Sequence, residues 1–272
     1  MDVKTTSPVF DNPPVIETVL GVQFAPLRGL TNAHLGWFWK THLDNVWEKV
    51  SEAVPLPDEF ERFEPAAPAQ IPMRFKIEPI RFPARLQIAH GNDGRMIQIQ
   101  PTRFHYNWNR IGGEYPHFRT VREEFDRHFA TFCRFVADAK LGAVVPNQWE
   151  LTYIDSIPPG VLWESPADWH TIIPGLLSRP QQTNNIPLES FGGEWHFEIP
   201  PRRGRLHLSV QFARLGDDPA PVLLLQTTAR GPIGKDGIAD LGEGLELGHR
   251  VALDTFLAVT SDKAHKAWGE KS

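Results

Sequence analysis

The sequence has very little cysteine. Cys133 is the only one in 272 residues, so no disulfide can form within the chain and no cysteine cluster can hold a metal. Such cysteine usage is typical of a reducing cytoplasm. Because Cys133 lies beside the apolar stripe of a predicted helix, we expect it to be a packed small side chain and not a nucleophile.

The short motifs of the common catalytic folds are also missing. The chain contains no G-x-x-x-x-G-K-[ST], G-x-G-x-x-G, H-E-x-x-H or G-x-S-x-G. Phosphate-cradling loops, zincin sites and nucleophile elbows therefore lack their local signatures. We name no catalytic residue and expect no cofactor; whether the protein is an enzyme stays open, with a non-enzymatic role favoured.

Long apolar runs and a strong charge of one sign are absent too. No run approaches 18 apolar residues, and the N-terminus has neither the charged nor the apolar region of a signal peptide. The net charge is −5, with acids and bases interspersed, which does not favour nucleic acid as a partner. We expect a cytoplasmic protein that has no membrane partner.

Proline and tryptophan, in contrast, are abundant, with 25 and nine residues. Seven of the prolines fall between Pro55 and Pro83, too many for regular central strands, although MRFKIEP is a candidate edge strand. A stretch of this length without regular structure inside a compact domain is usually a functional or a disordered loop. We expect it to act as a lid or to bind a partner.

The clearest structural pattern runs from Met96 to Val136. MIQIQ and RFHYNW alternate in opposite phases, so a break is predicted between Gln100 and Arg103. The helix that follows repeats apolar residues at a spacing of three or four from Phe118 onward, which gives it one apolar face.

The elements before this stretch begin with a strand, VIETVLGVQF. A helix from about Asn32 to Ala53 is predicted next, with Thr31 as its N-cap. The turn Gly91-Asn92-Asp93-Gly94 then predicts a tight hairpin between RLQIAH and RMIQIQ.

A similar order of elements returns in the second part of the chain. QWELTYIDSI predicts a strand, and a short helix follows that reaches about Leu177. Three strands separated by turns then precede a closing helix from about Leu241 to Trp268, with a possible break at Thr260-Ser261. We therefore predict an α+β fold of two pseudo-repeated β-α-β-β-β-α halves, with antiparallel sheets and helices packed on one face. The chain is expected to comprise a mobile lead (1–11) and two halves (12–143 and 144–272) packed as one globular unit.

A candidate ligand site lies on the central strand. Arg103, His105, Asn107 and Asn109 share one face, which Glu17 from the first strand could join. Arginine and amides together suit a small anionic, nucleotide-like ligand. The commoner alternative is that Arg103 and Glu17 pair with each other across neighbouring strands.

A second polar cluster is predicted on a hairpin of the second half. If Ile199 pairs near Leu206, Glu198 faces His207 and His196 faces Ser209. These imidazoles and carboxylates could bind a metal. A solvated polar surface is the commoner outcome, so we predict no metal site.

Candidate partner contacts are aromatic or basic. Trp37 and Trp39 widen the apolar stripe of the first helix, and Arg202 and Arg203 stand at the tip of the later hairpin. Histidines near apolar stripes, including His249, are expected to be hydrogen-bonded core residues.

Four stretches stand out together: NPPVIETVLGVQF, RFHYNW followed by YPHFRTVREEFDRHF, ELTYIDSI, and the closing HRVALDTFLAVTSDKAHKAW. In this order they resemble a sporadically distributed, uncharacterised prokaryotic family of about this length. The resemblance implies a cytoplasmic prokaryotic protein and no particular reaction, and a sporadic distribution is associated with accessory or defence-linked genes. The chain departs from the family pattern at Asp155, where asparagine is expected, and at Thr152. Asp155 completes the candidate ligand-binding residues.

The leading functional hypothesis from sequence is a non-enzymatic protein-interaction or accessory module that binds a protein partner or forms a homo-oligomer. The alternative hypothesis is a protein or enzyme that takes a small anionic ligand on the polar face of the central strand.

Overall fold

The structure of the chain is a computed structural model that describes residues 9–63, 84–111, 113–179, 186, 188–216, 220–234 and 237–271. Its first part contains strands β1 (Val9–Phe10), β2 (Val15–Phe24), β3 (Lys49–Ala53), β4 (Arg85–His90), β5 (Arg95–Gln100) and β6 (Arg103–Asn109), with helices α1 (Asn32–His42) and α2 (His117–Asp138). Its second part contains β7 (Pro146–Ile157), a 3-10 helix (Pro166–Thr171), β8 (Gly193–Ile199), β9 (Gly204–Arg214), β10 (Pro221–Pro232), α3 (Ile238–Val259), α4 (Asp262–Ala267) and β11 (Glu270–Lys271).

Nine of the strands form one antiparallel sheet in the order β3-β4-β5-β6-β2-β7-β10-β9-β8. The predicted mixture of helices with antiparallel strands is confirmed, as are the hairpin of β4 with β5 and the break between Gln100 and Arg103. The sheet is continuous because β2 pairs with β7, which joins the two parts of the chain at its centre. β1 pairs separately with β11, so residues 9–10 of the predicted lead are in a strand, while residues 1–8 lie outside the described residues.

Both long helices cover the same face of the sheet. Leu20 of β2 stands directly opposite Tyr106 of β6 on one side and Leu151 of β7 on the other, and side chains opposite each other point to one face. On this face α2 packs its phenylalanines against Phe104 of β6, with ring centroids 5.5 to 6.0 Å apart. The apolar stripe predicted for α2 is therefore its buried side.

The helix α3 lies close to the sheet because glycines occupy positions that face it. A Cβ atom added at Gly244 would lie 2.3 Å from the ring of Trp149, and one at Gly248 would lie 2.8 Å from it. The indole of Trp149 on β7 is thus accommodated directly beneath the helix backbone. These glycines weaken the intrinsic helix propensity of α3, and packing against the sheet compensates for that loss.

Two predicted helices end earlier than expected. α1 stops at His42 and not at Ala53, because Asp44 forms a turn in which its side chain accepts from the Val46 N–H at 3.3 Å. Residues 49–53 are instead the edge strand β3. The short helix predicted to reach Leu177 is a 3-10 helix that ends at Thr171, since Pro174 cannot donate the hydrogen bond that would continue it.

The opposite face of the sheet is crossed by residues 54–63, here called the crossing segment. Three glutamines on neighbouring strands bond its backbone: Gln100 exchanges two bonds with Leu56, at 2.9 Å each, Gln23 accepts from the Glu59 N–H at 3.0 Å, and Gln148 accepts from the Glu61 N–H at 3.2 Å. Residues 64–83, which include the predicted edge strand MRFKIEP, lie outside the described residues.

The close approach of α3 to Trp149 predicts opposite effects for two glycine substitutions in that helix. Gly244→Ala is expected to lower the free energy of unfolding by about 1–3 kcal/mol, because the new methyl group overpacks against the indole. Gly242→Ala is the matched control, since a Cβ there meets only the flexible end of Arg122 at 3.3 Å; we expect it to raise stability by up to about 1 kcal/mol. Urea denaturation of both variants measures the difference, and equal shifts would contradict this packing.

Candidate functional site

The polar residues predicted on the central strand do share one face, but that face is buried. Arg103 is only 6% exposed, because the crossing segment covers it. Its guanidinium donates to the Gln23 side chain at 2.7 Å and to the Pro57 carbonyl at 2.8 Å. Glu17 bonds Asn107 at 2.7 Å, and Asn109 donates to Glu17 at 3.3 Å when its amide nitrogen is turned toward it. Arg103 and Glu17 thus have separate partners.

Beneath the crossing segment these groups form a compensated charge cluster. Arg230 donates to the Glu150 carboxylate at 2.8 Å, while Arg103 and His105 each lie 3.8 Å from it. Burial alone would raise the pKa of Glu150, but His105, Arg230 and Arg103 lower it below its usual value. Burial lowers the pKa of His105 to about 4. The space between these side chains holds no volume for a water-sized molecule, so a ligand could enter only if the crossing segment moved.

The candidate metal residues pair in a different register from the one predicted. Ile199 stands opposite Gly204, so His196 faces His207 and Glu198 faces Arg205. The prediction that Ile199 pairs near Leu206 is wrong by two residues, because the turn closes tightly with a bond from the Arg203 N–H to the Ile199 carbonyl at 2.8 Å. Among the described residues no group of three or more histidine, cysteine, aspartate or glutamate side chains could hold a metal ion.

His207 is instead part of the attachment of the crossing segment. Its Nε2 lies 2.7 Å from the Glu61 carboxylate, to which Arg205 also donates at 2.6 Å. Burial would raise the pKa of Glu61, but His207, Arg230 and Arg205 lower it. Of the three residues weighed as metal ligands, His207 therefore contacts a glutamate of the chain itself, whereas His196 contacts His207 and Glu198 accepts from the Arg202 N–H.

Asp155 lies on the other face of the sheet, where it lines a cleft. A cleft of about 880 Å³ opens between the start of α2 and the middle of α3, over β2, β7 and β10; we call it the interhelix cleft. Its apolar and aromatic lining includes Phe10, Pro13, Pro14, Val15, Tyr115, Phe118, Leu253 and Phe256. Its polar lining includes Arg119, Arg122, Glu123, Asp126, Tyr153, Asp155, Thr227, Glu246 and His249.

The floor of the interhelix cleft is formed by neighbouring strands. Tyr153 of β7 stands opposite Thr227 of β10, and Asp155 follows Tyr153 on the same face. The Tyr153 hydroxyl lies 2.8 Å from Nδ1 of His249, whose ring stacks on Phe118 at 4.0 Å between centroids. This contact links the floor to both helices.

Two polar groups on this floor have no hydrogen-bond partner among the described residues. The Thr227 hydroxyl oxygen is buried without a partner, and its side chain is 2% exposed. Asp155 is 5% exposed and forms neither a hydrogen bond nor an ion pair with the described part of the chain. Nearby Arg110 donates to the Pro13 carbonyl at 2.9 Å instead. A fully buried hydroxyl without a partner, such as that of Thr227, is uncommon in native proteins.

Burial sets the protonation of the cleft floor. It raises the pKa of Asp155 to about 7, with Arg110 opposing the shift, and it raises the pKa of Tyr115 to about 12. It lowers the pKa of His249 to about 4, against the effect of Asp254. At neutral pH the floor therefore presents a neutral imidazole, protonated phenols and a carboxyl group that is changing its charge. Perturbed pKa values in a cleft are a feature of functional sites.

A second cleft, of about 580 Å³, lies between α2 and the turn after α1. Its main charged groups already bond each other: Arg95 donates to Glu124 at 3.0 Å and to Asp93 at 2.9 Å, and the Tyr106 hydroxyl donates to Glu124 at 2.7 Å. A ligand there would have to compete with these bonds, which makes it the weaker candidate site.

The predicted partner contacts are partly accessible. Trp37 is 50% exposed and meets Phe135 edge to face, whereas Trp39 donates its indole N–H to the Trp47 carbonyl. Arg202 and Arg203 are exposed in the turn between β8 and β9. Much of the Pro55–Pro83 loop lies outside the described residues.

Comparison of the chain with protein-family models, curated proteins and solved structures found no match. The resemblance to an uncharacterised prokaryotic family therefore stays a prediction. None of the described helices has the length and hydropathy needed to cross a bilayer.

Sequence reasoning missed most of the interhelix cleft, although it named Asp155. His249 was expected to be a core histidine, and no pattern pointed to Thr227. A signal was present in the stretches that carry the resemblance, because each of the four supplies at least one residue near the cleft: Pro13 and Pro14, Tyr115, Tyr153 and Asp155, and His249.

The raised pKa of Asp155 predicts a pH-dependent gain in stability for Asp155→Asn. A carboxyl whose pKa is higher in the folded than in the unfolded protein destabilises the fold as pH rises from about 4 to 7. The free energy of unfolding of the variant is expected to exceed that of the wild type by about 4 kcal/mol at pH 8 and by less than about 1 kcal/mol at pH 4. Guanidinium denaturation at both pH values provides the measurement, and a pH-independent difference would contradict the buried, unpaired carboxyl.

Proposed function

We propose that the protein binds a small molecule in the interhelix cleft. The observation that carries this proposal is the pair of buried polar groups, Asp155 and Thr227, that face an apolar-walled cleft of about 880 Å³ without partners in the described chain. Ligand sites are typically clefts of roughly 300–1,000 Å³ with apolar walls and a few convergent polar groups. A bound ligand would satisfy the two groups that the fold leaves unbonded.

The polar face of the central strand supports ligand binding less well. Its arginines and acids bond one another and the crossing segment, and no free volume remains between them. The anionic-ligand hypothesis for Arg103 and His105 therefore requires the crossing segment to leave, whereas the interhelix cleft is open in the fold as it stands.

The test is native mass spectrometry of the protein purified gently from its own host. We expect an adduct of a few hundred daltons that is lost on denaturation. Leu253→Trp should remove the adduct, because the new indole fills the cleft that Leu253 lines. Glu243→Trp is the matched control, since this residue is exposed on the same helix and does not line the cleft. An adduct that survives Leu253→Trp would contradict the proposal.

A second candidate function is the interaction module or homo-oligomer expected from sequence. β8 is at one edge of the sheet, and no described strand pairs with its outer side. Phe197 on this strand is 43% exposed. An open edge offers unpaired backbone groups to another strand.

Phe197→Lys tests this second function, because a charged residue on an edge strand opposes pairing with another chain. The wild type is expected to sediment as a defined oligomer or with a partner, and the variant as a monomer. Val161→Lys is the control, since Val161 is an 84% exposed apolar residue outside the sheet. Identical monomeric sedimentation of all three proteins would exclude this function for the edge.

The proposal also includes a duplicated origin for the two halves and a cytoplasmic location. From the centre outward the strands follow the order β2, β6, β5, β4, β3 on one side and β7, β10, β9, β8 on the other. A long helix ends each series in the chain, and β3 is the one additional strand in the described sheet. This correspondence supports a pseudo-repeat with the interhelix cleft at its junction. The single cysteine supports the location.

A further inference from the structure

We infer that the ligand of the interhelix cleft is a small organic cation, an amine or amidine on an apolar or aromatic body, whose charged nitrogen binds Asp155. This inference rests on the proposed function and adds the chemical class of the ligand. It follows from the groups that Asp155 lacks, from the charges around the cleft and from its aromatic walls.

Among the described residues, no cation is bonded to Asp155. The titratable and charged groups around it are Arg110, Tyr115, Tyr153 and His249. Arg110 bonds the Pro13 carbonyl and Asn12 and forms no ion pair with Asp155. His249 is neutral, because burial lowers its pKa to about 4. A buried carboxylate without a partner is destabilising, and an N–H donor with a positive charge is the group that compensates it best.

The charge of the cleft lining also favours a cation. Apart from Asp155 the lining contains two arginines and three acids, Glu123, Asp126 and Glu246. Arg122 already donates to Asp126 at 3.0 Å and to Glu246 at 3.3 Å. The cleft therefore has an excess of acid, which attracts a cation and disfavours an anionic ligand.

The walls of the interhelix cleft are largely aromatic. Five phenylalanine and tyrosine side chains line the cleft: Phe10, Tyr115, Phe118, Tyr153 and Phe256. Aromatic faces attract an organic cation and accommodate an apolar body. The partnerless Thr227 hydroxyl, opposite Tyr153, offers a second hydrogen-bond acceptor beside the carboxylate.

The experiment uses three probes of one shape: 2-(2-naphthyl)ethylamine, 2-(2-naphthyl)ethanol and 2-naphthylacetate. Isothermal titration calorimetry at pH 8, where Asp155 is mostly ionised, measures the affinity of the wild-type protein for each probe. We expect the amine to bind at least about tenfold more tightly than the alcohol, and the carboxylate to bind most weakly. Asp155→Asn should abolish the preference for the amine over the alcohol. Asp155→Ser is a second variant that removes the carboxylate without introducing the amide group of asparagine, and the same result is expected for it.

The outcomes separate the inference from the proposed function. Equal binding of amine and alcohol, both lost in Leu253→Trp, would overturn the cationic ligand while leaving the cleft as a binding site. A preference for the amine that persists in both Asp155 variants would overturn the role of Asp155. Binding of the amine that survives Leu253→Trp would place it elsewhere. If no probe binds at millimolar concentration and the native protein carries no adduct, both the cationic ligand and the proposed binding function would be overturned.

Discussion

The antiparallel pairing of β2 with β7 is the constraint on which both sides of the molecule depend. It joins the two parts of the chain into one sheet and fixes which side chains stand beside each other at the centre. On one face it places Gln23 opposite Gln148, and these two side chains accept from the backbone N–H groups of Glu59 and Glu61 in the crossing segment. On the other face it places Thr18 opposite Tyr153. A shift of one residue in the β2–β7 register would turn the side chains of each face to the opposite face.

The acidic side chains on the two faces have different surroundings. Under the crossing segment, arginine, glutamate and glutamine side chains bond one another and the backbone, so the charged forms of Glu61 and Glu150 are favoured. Gly21 contributes to this close fit, since a Cβ atom there would lie 2.8 Å from the His105 ring. Breaking one member of such a network leaves its partners unsatisfied in a low-dielectric environment, which makes the cluster a structural unit.

Local patterns in the sequence predicted the strands, the hairpins and α2 well, because alternation and helical spacing report directly on burial. They could not predict that nine strands share one sheet, since β2–β7 pairing joins residues more than 120 positions apart. The polar face of β6 was expected to be accessible because Arg103, His105 and Asn107 alternate with aromatics. It is buried because the proline-rich crossing segment covers it, and this long-range contact leaves no periodic signal. The hairpin register was missed by two residues because the turn length was misjudged.

The candidate site was hard to predict for a related reason. Asp155, Thr227 and His249 come from three elements, and each looks ordinary in its own stretch: an acid near a strand end, one of two adjacent threonines, a histidine on an apolar helix face. Their significance arises only when the sheet order sets β7 beside β10 and α3 lies above them. A fold that leaves a carboxyl and a hydroxyl without partners among the described residues, on the floor of an open cleft, retains a destabilising arrangement. Because binding free energy can offset that instability, the arrangement is better explained by a ligand than by folding alone.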